Sequence, residues 1–319
     1  MMGRIIGRHP RVHTFNELHF FEQLWEGDDA DGLPREHAVA LMARLLTIER
    51  DGYLHQGDPT RFTEEAATAL SGSTAGPVRG TEVFRRFLGH EVERTGAEIA
   101  CDQTPRNVFY LEEIHETFPR CRVVHMVRDP RDVLLSQKNK WRRRFLGGGG
   151  IPVREALRSW INYHPVTISQ LWKASVKAGL RFAGEPWLRT VHFEDLLAEP
   201  EAEMREVCHF AGIDYSPDLL RVPRVGSSNV PDRPEERGID PGRASSWREG
   251  GLSDTEIWTS QLISGDVAVD AGYDPAEVRA NPLGLAASAL AFPLKTGAAV
   301  LANLGRYADL VEAVRRRLR

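Results

Sequence analysis

Val-Val-His-Met-Val-Arg-Asp-Pro-Arg-Asp-Val-Leu-Leu-Ser, residues Val123 to Ser136, is the stretch whose reading decides the fold. Its first five residues form an apolar run of the length that fills a buried strand, and after Arg128 the pattern restarts as a helix. Asp129 stands at the N-cap, Pro130 at the first helical position where its missing N–H costs nothing, and Asp132 at N3 beside the positive end of the helix dipole. A strand becomes a helix within two residues. In parallel α/β sheets such turns lie at the carboxyl ends of the strands, where ligands bind, and this turn carries Arg128 and Arg131. The expected ligand is an anion.

Outward from this stretch, periodicity predicts helices over Glu36–Arg50, Glu64–Leu70, Glu82–Thr95 and Val108–Phe118, the last stopped by Pro119. A strand is expected over Glu98–Cys101, before Asp102-Gln103-Thr104-Pro105-Arg106. Beyond Ser136 comes a basic segment, Lys138 to Arg144, then a flexible Gly147–Gly150 and a long helical pattern over Arg154–Ala178, broken near Pro165. Trp187–Phe193 reads as another strand, Glu201–Ala211 as a helix closed by Gly212, and Ser253–Ala271 as a further helix. Val225–Gly251 reads as loop. Strands alternating with helices imply a parallel sheet with helices on both faces.

The 319 residues are enough for one large α/β domain, and 41% hydrophobic with 27% charged residues is the composition of a globular chain. A net charge of −4 gives no basis for a nucleic-acid partner. Cys101, Cys121 and Cys208 are odd in number, widely spaced and without metal-type pairing, so they read as reduced thiols of a cytoplasmic protein that holds no metal. There is no signal peptide and no uninterrupted run of eighteen apolar residues. Leu283–Leu304 is weakly apolar but interrupted by Pro293 and Lys295, and Val311–Arg319 is basic and amphipathic, allowing peripheral contact with a membrane surface or packing on the domain or a partner. Domain organisation is read as an α/β domain over 1–275 and a helical appendage over 276–319.

The ordered set Asp102-Gln103-Thr104-Pro105, Val127-Arg128-Asp129-Pro130-Arg131-Asp132 to Ser136, Phe193-Glu194-Asp195-Leu196 and Gly272-Tyr273 resembles the sulfotransferases that use 3′-phosphoadenosine 5′-phosphosulfate, over roughly residues 1 to 275. The pattern is most similar to the tyrosylprotein and carbohydrate types. The resemblance implies a P-loop-type parallel sheet flanked by helices, and transfer of a sulfuryl group to a hydroxyl on a carbohydrate, a tyrosyl peptide or a small molecule. It implies that Arg128 and Ser136 hold the cofactor's 3′-phosphate. Arg supplies a rigid fork of donors for phosphate oxygens, and Ser a short neutral donor. The alternative is that Arg128 is a structural partner of Asp129 or Asp132. The loop carrying Ser227, Ser228, Arg233, Arg237, Arg243 and Trp247 corresponds to one that folds over the adenosine and 3′-phosphate in relatives, and Arg243 is taken from it as a cofactor-binding candidate.

Glu17, in Asn16-Glu17-Leu18-His19-Phe20-Phe21, falls where carbohydrate-type members place a catalytic glutamate. Beside Phe15, Phe20 and Phe21 a carboxylate is expected to be partly desolvated, with its pKa raised toward that of a general base; the competing reading is a solvated surface glutamate. Pro105 stands where cytosolic members have a catalytic histidine. Two departures bear on activity. No Gly-x-Pro-Arg-Ser-Gly-Thr-Thr-like phosphate loop is present, and residues 1–9 read as the middle of a helix without a cap, so one strand and one loop of roughly ten to thirty residues are expected before residue 1. Gln103 replaces a lysine that would neutralise charge on the bridging oxygen. An inactive nucleotide-binding or scaffolding relative is therefore the alternative to an enzyme. A P-loop kinase would need a Gly-rich Lys-Ser/Thr loop, which the sequence lacks.

Overall fold

The computed structural model describes residues 1–25, 27, 31–53, 57–71 and 76–303, in two compact units that divide between Pro119 and Arg120. The expected boundary near residue 275 falls within the second unit, which includes residues 276–303.

The first unit runs α1 (Met2–Ile6), β1 (Val12–Thr14), a π-helical turn (Phe20–Leu24), α2 (Arg35–Asp51), α3 (Thr63–Ala69), α4 (Gly80–Thr95), β2 (Ile99–Cys101), a 3₁₀ turn (Pro105–Tyr110) and α5 (Leu111–Thr117). β1 and β2 pair in parallel, Val12 opposite Ile99 and Thr14 opposite Cys101, with α2, α3 and α4 forming the crossover. The apolar face of α2 fills the core: Met42, Leu45, Leu46 and Ile48 pack with Phe15, Phe20, Phe84 and Phe87, and the Phe20 and Phe84 rings stack at 4.1 Å. Glu65, His90 and Glu91 bring three potential metal ligands within 4.8 Å of one another. Arg50 binds both carboxylates and Arg94 binds Glu91. Hydrogen bonding from Arg50 holds the Glu65 pKa down at about 2. The cluster is an ion-pair network whose cations are arginines.

The second unit runs β3 (Val123–Val127), α6 (Pro130–Asn139), a 3₁₀ segment (Lys140–Phe145), α7 (Val153–Asn162), α8 (Pro165–Leu180), β4 (Leu188–His192), α9 (Phe193–Ala198), α10 (Pro200–Ala211), β5 (Pro223–Arg224), β6 (Arg233–Arg237), α11 (Asp254–Asp270) and α12 (Pro282–Asn303). β3 and β4 are parallel over five residues, from Val123 opposite Leu188 to Val127 opposite His192. The expected break at Pro165 separates α7 from α8, with the His164 side chain capping α8 through Val166 N. Gly212, in the left-handed region at φ 70°, closes α10, and a Ser253–Glu256 capping box opens α11.

Three features differ from the sequence reading. β1 is too short for alternation to reveal it. The expected Val225–Gly251 loop contains β6, antiparallel to β5. Pro293 and Lys295 do not interrupt α12, which continues for 22 residues and is long and apolar enough by composition to cross a membrane; residues 304–319, with the basic end of the tail, lie outside the described residues.

Helix α8 approaches β3 so closely that a Cβ on Gly179 would stand 2.2 Å from the His125 ring. His125 is buried and its pKa falls to about 4, because burial disfavours its charge and His192 repels it. Gly179→Ala is therefore expected to destabilise the protein by about 1–3 kcal/mol through overpacking, read as a lower urea midpoint at unchanged m-value.

Candidate functional site

At the β3–α6 turn the Asp129 carboxylate caps the helix by accepting from Arg131 N at 2.8 Å. It also accepts from Arg131 Nε and Nη2, at 2.9 and 2.8 Å, and from Trp247 Nε1 at 3.2 Å. Arg131 is consequently 4% exposed, its guanidinium lying over the Trp247 ring and donating to the Asp274 carbonyl. This corrects the expectation that Arg131 stands beside Arg128 as an anion ligand: its donors are directed into the protein. Glu194, from the Phe193-Glu194-Asp195-Leu196 motif, accepts from Asp129 N at 3.0 Å and from the Tyr273 hydroxyl at 2.8 Å. The separate motifs of the second unit thus converge on this turn.

Arg128 is placed differently. Its Nη2 donates to the Arg243 carbonyl at 2.8 Å and lies 3.4 Å from Asp132 Oδ2, and its guanidinium sits over Phe193. Trp172 Nε1 donates to the Arg128 carbonyl, fixing the backbone beneath it. Asp132 is buried, which raises its pKa despite the nearby Arg128 charge and the hydrogen bond from Trp247 N. The Nε of Arg128 and the Nε of Arg243 are both buried without a hydrogen-bond partner; Arg243 Nε is 3.5 Å from Asp240 Oδ2. Two turns along α6, Ser136 Oγ faces Ser228 Oγ at 3.5 Å. Arg128 is thus both a structural partner of Asp132 and a cation with an open donor. The buried donors of Arg128 and Arg243, with the two serine hydroxyls, suit a phosphate by charge and donor type.

In the first unit, the Asp102–Arg106 motif clamps the segment that carries Glu17. Thr104 Oγ1 accepts from Leu18 N at 2.9 Å and His19 N at 3.3 Å while donating to Asp102 Oδ1 at 2.7 Å. Asp102 also accepts from Thr104 N and Asn107 Nδ2. Burial raises its pKa against those hydrogen bonds. Gln103 Nε2 donates to the Phe15 carbonyl at 3.0 Å, so it acts as a backbone tether. Arg106 pairs with Glu22.

Glu17 itself is 53% exposed, while Phe15, Phe20 and Phe21 turn into the core. The expected desolvation is absent. Its neighbour is His19, a residue the sequence reading did not single out. His19 is buried in the left-handed region (φ 52°, ψ 27°), its Nε2 3.5 Å from Glu17 and its Nδ1 3.4 Å from Glu22, with the Tyr53 ring 4.4 Å away. Burial opposes charge on His19, but the two carboxylates outweigh it and raise its pKa. Burial likewise opposes the charge of Glu22, but His19 and Arg106 lower its pKa. A non-glycine residue held in this backbone region marks a site that its surroundings over-determine.

A model of the sulfotransferase family matches residues 1–217, and the chain belongs to that family. Sulfotransferases of this family generally use 3′-phosphoadenosine 5′-phosphosulfate. The nodulation protein NoeE of Sinorhizobium fredii is 23% identical over 207 residues, covering 60% of this chain and 48% of that protein, so the chain spans about half the length of this relative. The sulfotransferase domain from the curacin biosynthetic pathway superposes with a TM-score of 0.51 at 17% identity, covering 86% of this chain and 93% of that one. For the sulfotransferase domain of the Synechococcus PCC 7002 olefin synthase the TM-score is 0.45 at 19% identity, covering 85% and 89%. The fold is the P-loop-type α/β fold of sulfotransferases.

Two outcomes are expected. Asp129→Ala removes an N-cap and leaves Arg131 buried without its anion, costing about 3–5 kcal/mol in urea unfolding. The His19 ion pairs contribute stability below pH 6.5 that is lost as pH rises through the raised folded pKa of His19. The contribution of Glu22 is present above its unfolded pKa and lost as pH falls through the depressed one. The stability difference between wild type and His19→Gln should therefore be greatest between these limits and shrink toward alkaline pH.

Proposed function

We propose that the chain transfers a sulfuryl group from 3′-phosphoadenosine 5′-phosphosulfate to a hydroxyl acceptor, a carbohydrate, tyrosyl or small-molecule alcohol. In this reading Arg128, Ser136 and Arg243 bind the 3′-phosphate, and Glu17 accepts the proton. The observation that carries it is the buried guanidinium Nε–H of Arg128, which has no acceptor, together with that of Arg243, which has only the Asp240 carboxylate at 3.5 Å. A buried cationic donor left open costs free energy unless an anion completes it.

In the reaction the acceptor oxygen forms a bond to sulfur as the bond from sulfur to the bridging phosphate oxygen breaks. The electron pair leaves on adenosine 3′,5′-bisphosphate, and the acceptor's proton passes to a carboxylate oxygen of Glu17. The His19 ring, 3.5 Å from Glu17 and 3.4 Å from Glu22, restricts where the Glu17 carboxylate points. Sulfuryl transfer, like phosphoryl transfer, depends on positioning and electrostatics.

A second reading is favoured by Gln103, which supplies no charge and spends a donor on the Phe15 carbonyl. In this reading the chain binds the nucleotide without transferring the sulfuryl group.

Calorimetric titration with adenosine 3′,5′-bisphosphate is expected to show binding, weakened about 10–100-fold by Arg128→Ala and less by Arg128→Lys. Unchanged affinity in Arg128→Ala overturns both readings. With a labelled sulfuryl donor and a mixed acceptor panel, Glu17→Gln is expected to lower kcat by about 10²–10⁴ without altering bisphosphate affinity. Nucleotide binding with no transfer to any acceptor selects the second reading.

A further inference from the structure

The sulfuryl-transfer reading leaves α12 without a role. Among its 22 residues Lys295 is the only one with a charged side chain, and the helix has two distinct faces. One is fastened antiparallel to the α7–α8 segment. Arg158 Nε donates to the Ala302 carbonyl, and Asn303 Nδ2 donates to Asn162 Oδ1. Lys295 Nζ donates to the Tyr163 and Trp160 carbonyls, at 3.1 and 3.4 Å, and His164 contacts the Ser288 carbonyl at 3.2 Å and the Phe292 ring.

The opposite face carries Leu283, Leu290, Leu294 and Leu301, which are 81%, 76%, 76% and 70% exposed. At 100° per residue these four positions fall within roughly 40° of arc, a narrow leucine ridge along the whole helix. On α7, Val153, Leu157 and Trp160, spaced four and three apart, share one helix face and are also more than half exposed, and the Trp160 ring lies against Lys295. Exposed apolar surface of this length is unusual for a face meeting only water.

The charge that follows it in the sequence and that of the segment packed on α7 indicate what covers it. The sixteen residues that follow α12 in the sequence contain five arginines, Arg306, Arg315, Arg316, Arg317 and Arg319, against Asp309 and Glu312. The 3₁₀ segment that packs on α7 contributes Arg142, Arg143 and Arg144 beside an exposed Phe145. Apolar side chains flanked by arginines and an interfacial tryptophan match a bilayer surface bearing anionic lipid.

We infer that α12 lies in the plane of an anionic membrane surface, with its leucine ridge in the acyl boundary and Arg142, Arg143 and Arg144 at the headgroups. An in-plane position keeps the hydrogen bonds of Lys295 and Asn303 to α7. A transmembrane position would break them and bring Lys295 to hydrocarbon depth.

The test is flotation of the full chain with vesicles of phosphatidylcholine alone or of phosphatidylcholine and phosphatidylglycerol in equal parts. Binding is expected to the phosphatidylglycerol vesicles, to weaken as salt is raised, and to fall about tenfold or more in Leu290→Ser/Leu294→Ser. The substituted side chains are exposed, so circular dichroism and bisphosphate affinity should match wild type. Equal binding to both vesicle types, binding to neither, or unchanged flotation of the double variant overturns the inference. So does a lipid-free dimer that the double variant converts to monomer, which would assign the ridge to a second copy of the chain.

Discussion

One carboxylate organises the second unit. Asp129 is buried at the junction of β3 and α6, where an ionised group requires full compensation, and it receives it from a backbone N–H, two guanidinium N–H groups and an indole N–H. Each donor brings a distant segment with it. Trp247 carries the loop before α11, Arg131 reaches the carbonyl of Asp274, and Glu194 and Tyr273 complete the ring of contacts through the Asp129 amide. The two arginines of the motif consequently have different fates. Arg131 is saturated and acts as an internal strut, whereas Arg128 keeps an unsatisfied donor because Asp132 and the Arg243 carbonyl engage only one of its nitrogens.

The first unit uses the same device on a smaller scale. Asp102 fixes the Thr104 hydroxyl, which accepts from two successive amides at Leu18 and His19. Those amides precede a π-helical turn and include a residue in the left-handed region, a conformation local preference alone would not select. The geometry of Glu17 thus depends on residues more than eighty positions away. A carboxylate and a hydroxyl hold in place a segment that the chain's own propensities leave undetermined.

What was legible in the sequence was mostly local. The cap at Asp129, the break at Pro165, the stop at Gly212 and the helix over Ser253–Ala271 all follow from residues acting within a few positions of themselves. So does the apolar face of α2. Arg131 was misjudged because its burial is decided by Trp247 and Asp274, more than a hundred residues away. The aromatic neighbours of Glu17 are adjacent in sequence but not in space: the left-handed turn at His19 and the π-helix send the phenylalanines inward and leave the carboxylate in solvent. Pro293 and Lys295 were read as interrupting a weakly apolar stretch, yet α12 continues past both. Which motifs belong together came from their order along the chain and its resemblance to a family, whereas their physical connection through Asp129 and Thr104 is visible only in three dimensions.

The parallel pairing of the strands has a consequence for how the chain acquires its structure. β1 meets β2 only after the intervening 84 residues, Phe15 to Glu98, have been made, and β3 meets β4 after the 60 residues from Arg128 to Trp187. Closing such long loops costs entropy before any strand contact repays it, so helices that can form locally precede the sheet. During synthesis Val12 waits for its β2 partner until Ile99 follows it out of the ribosome. Throughout that interval the edge of β1 that β2 will occupy stays open, and α1, followed by the helices of the crossover, is available to shelter it.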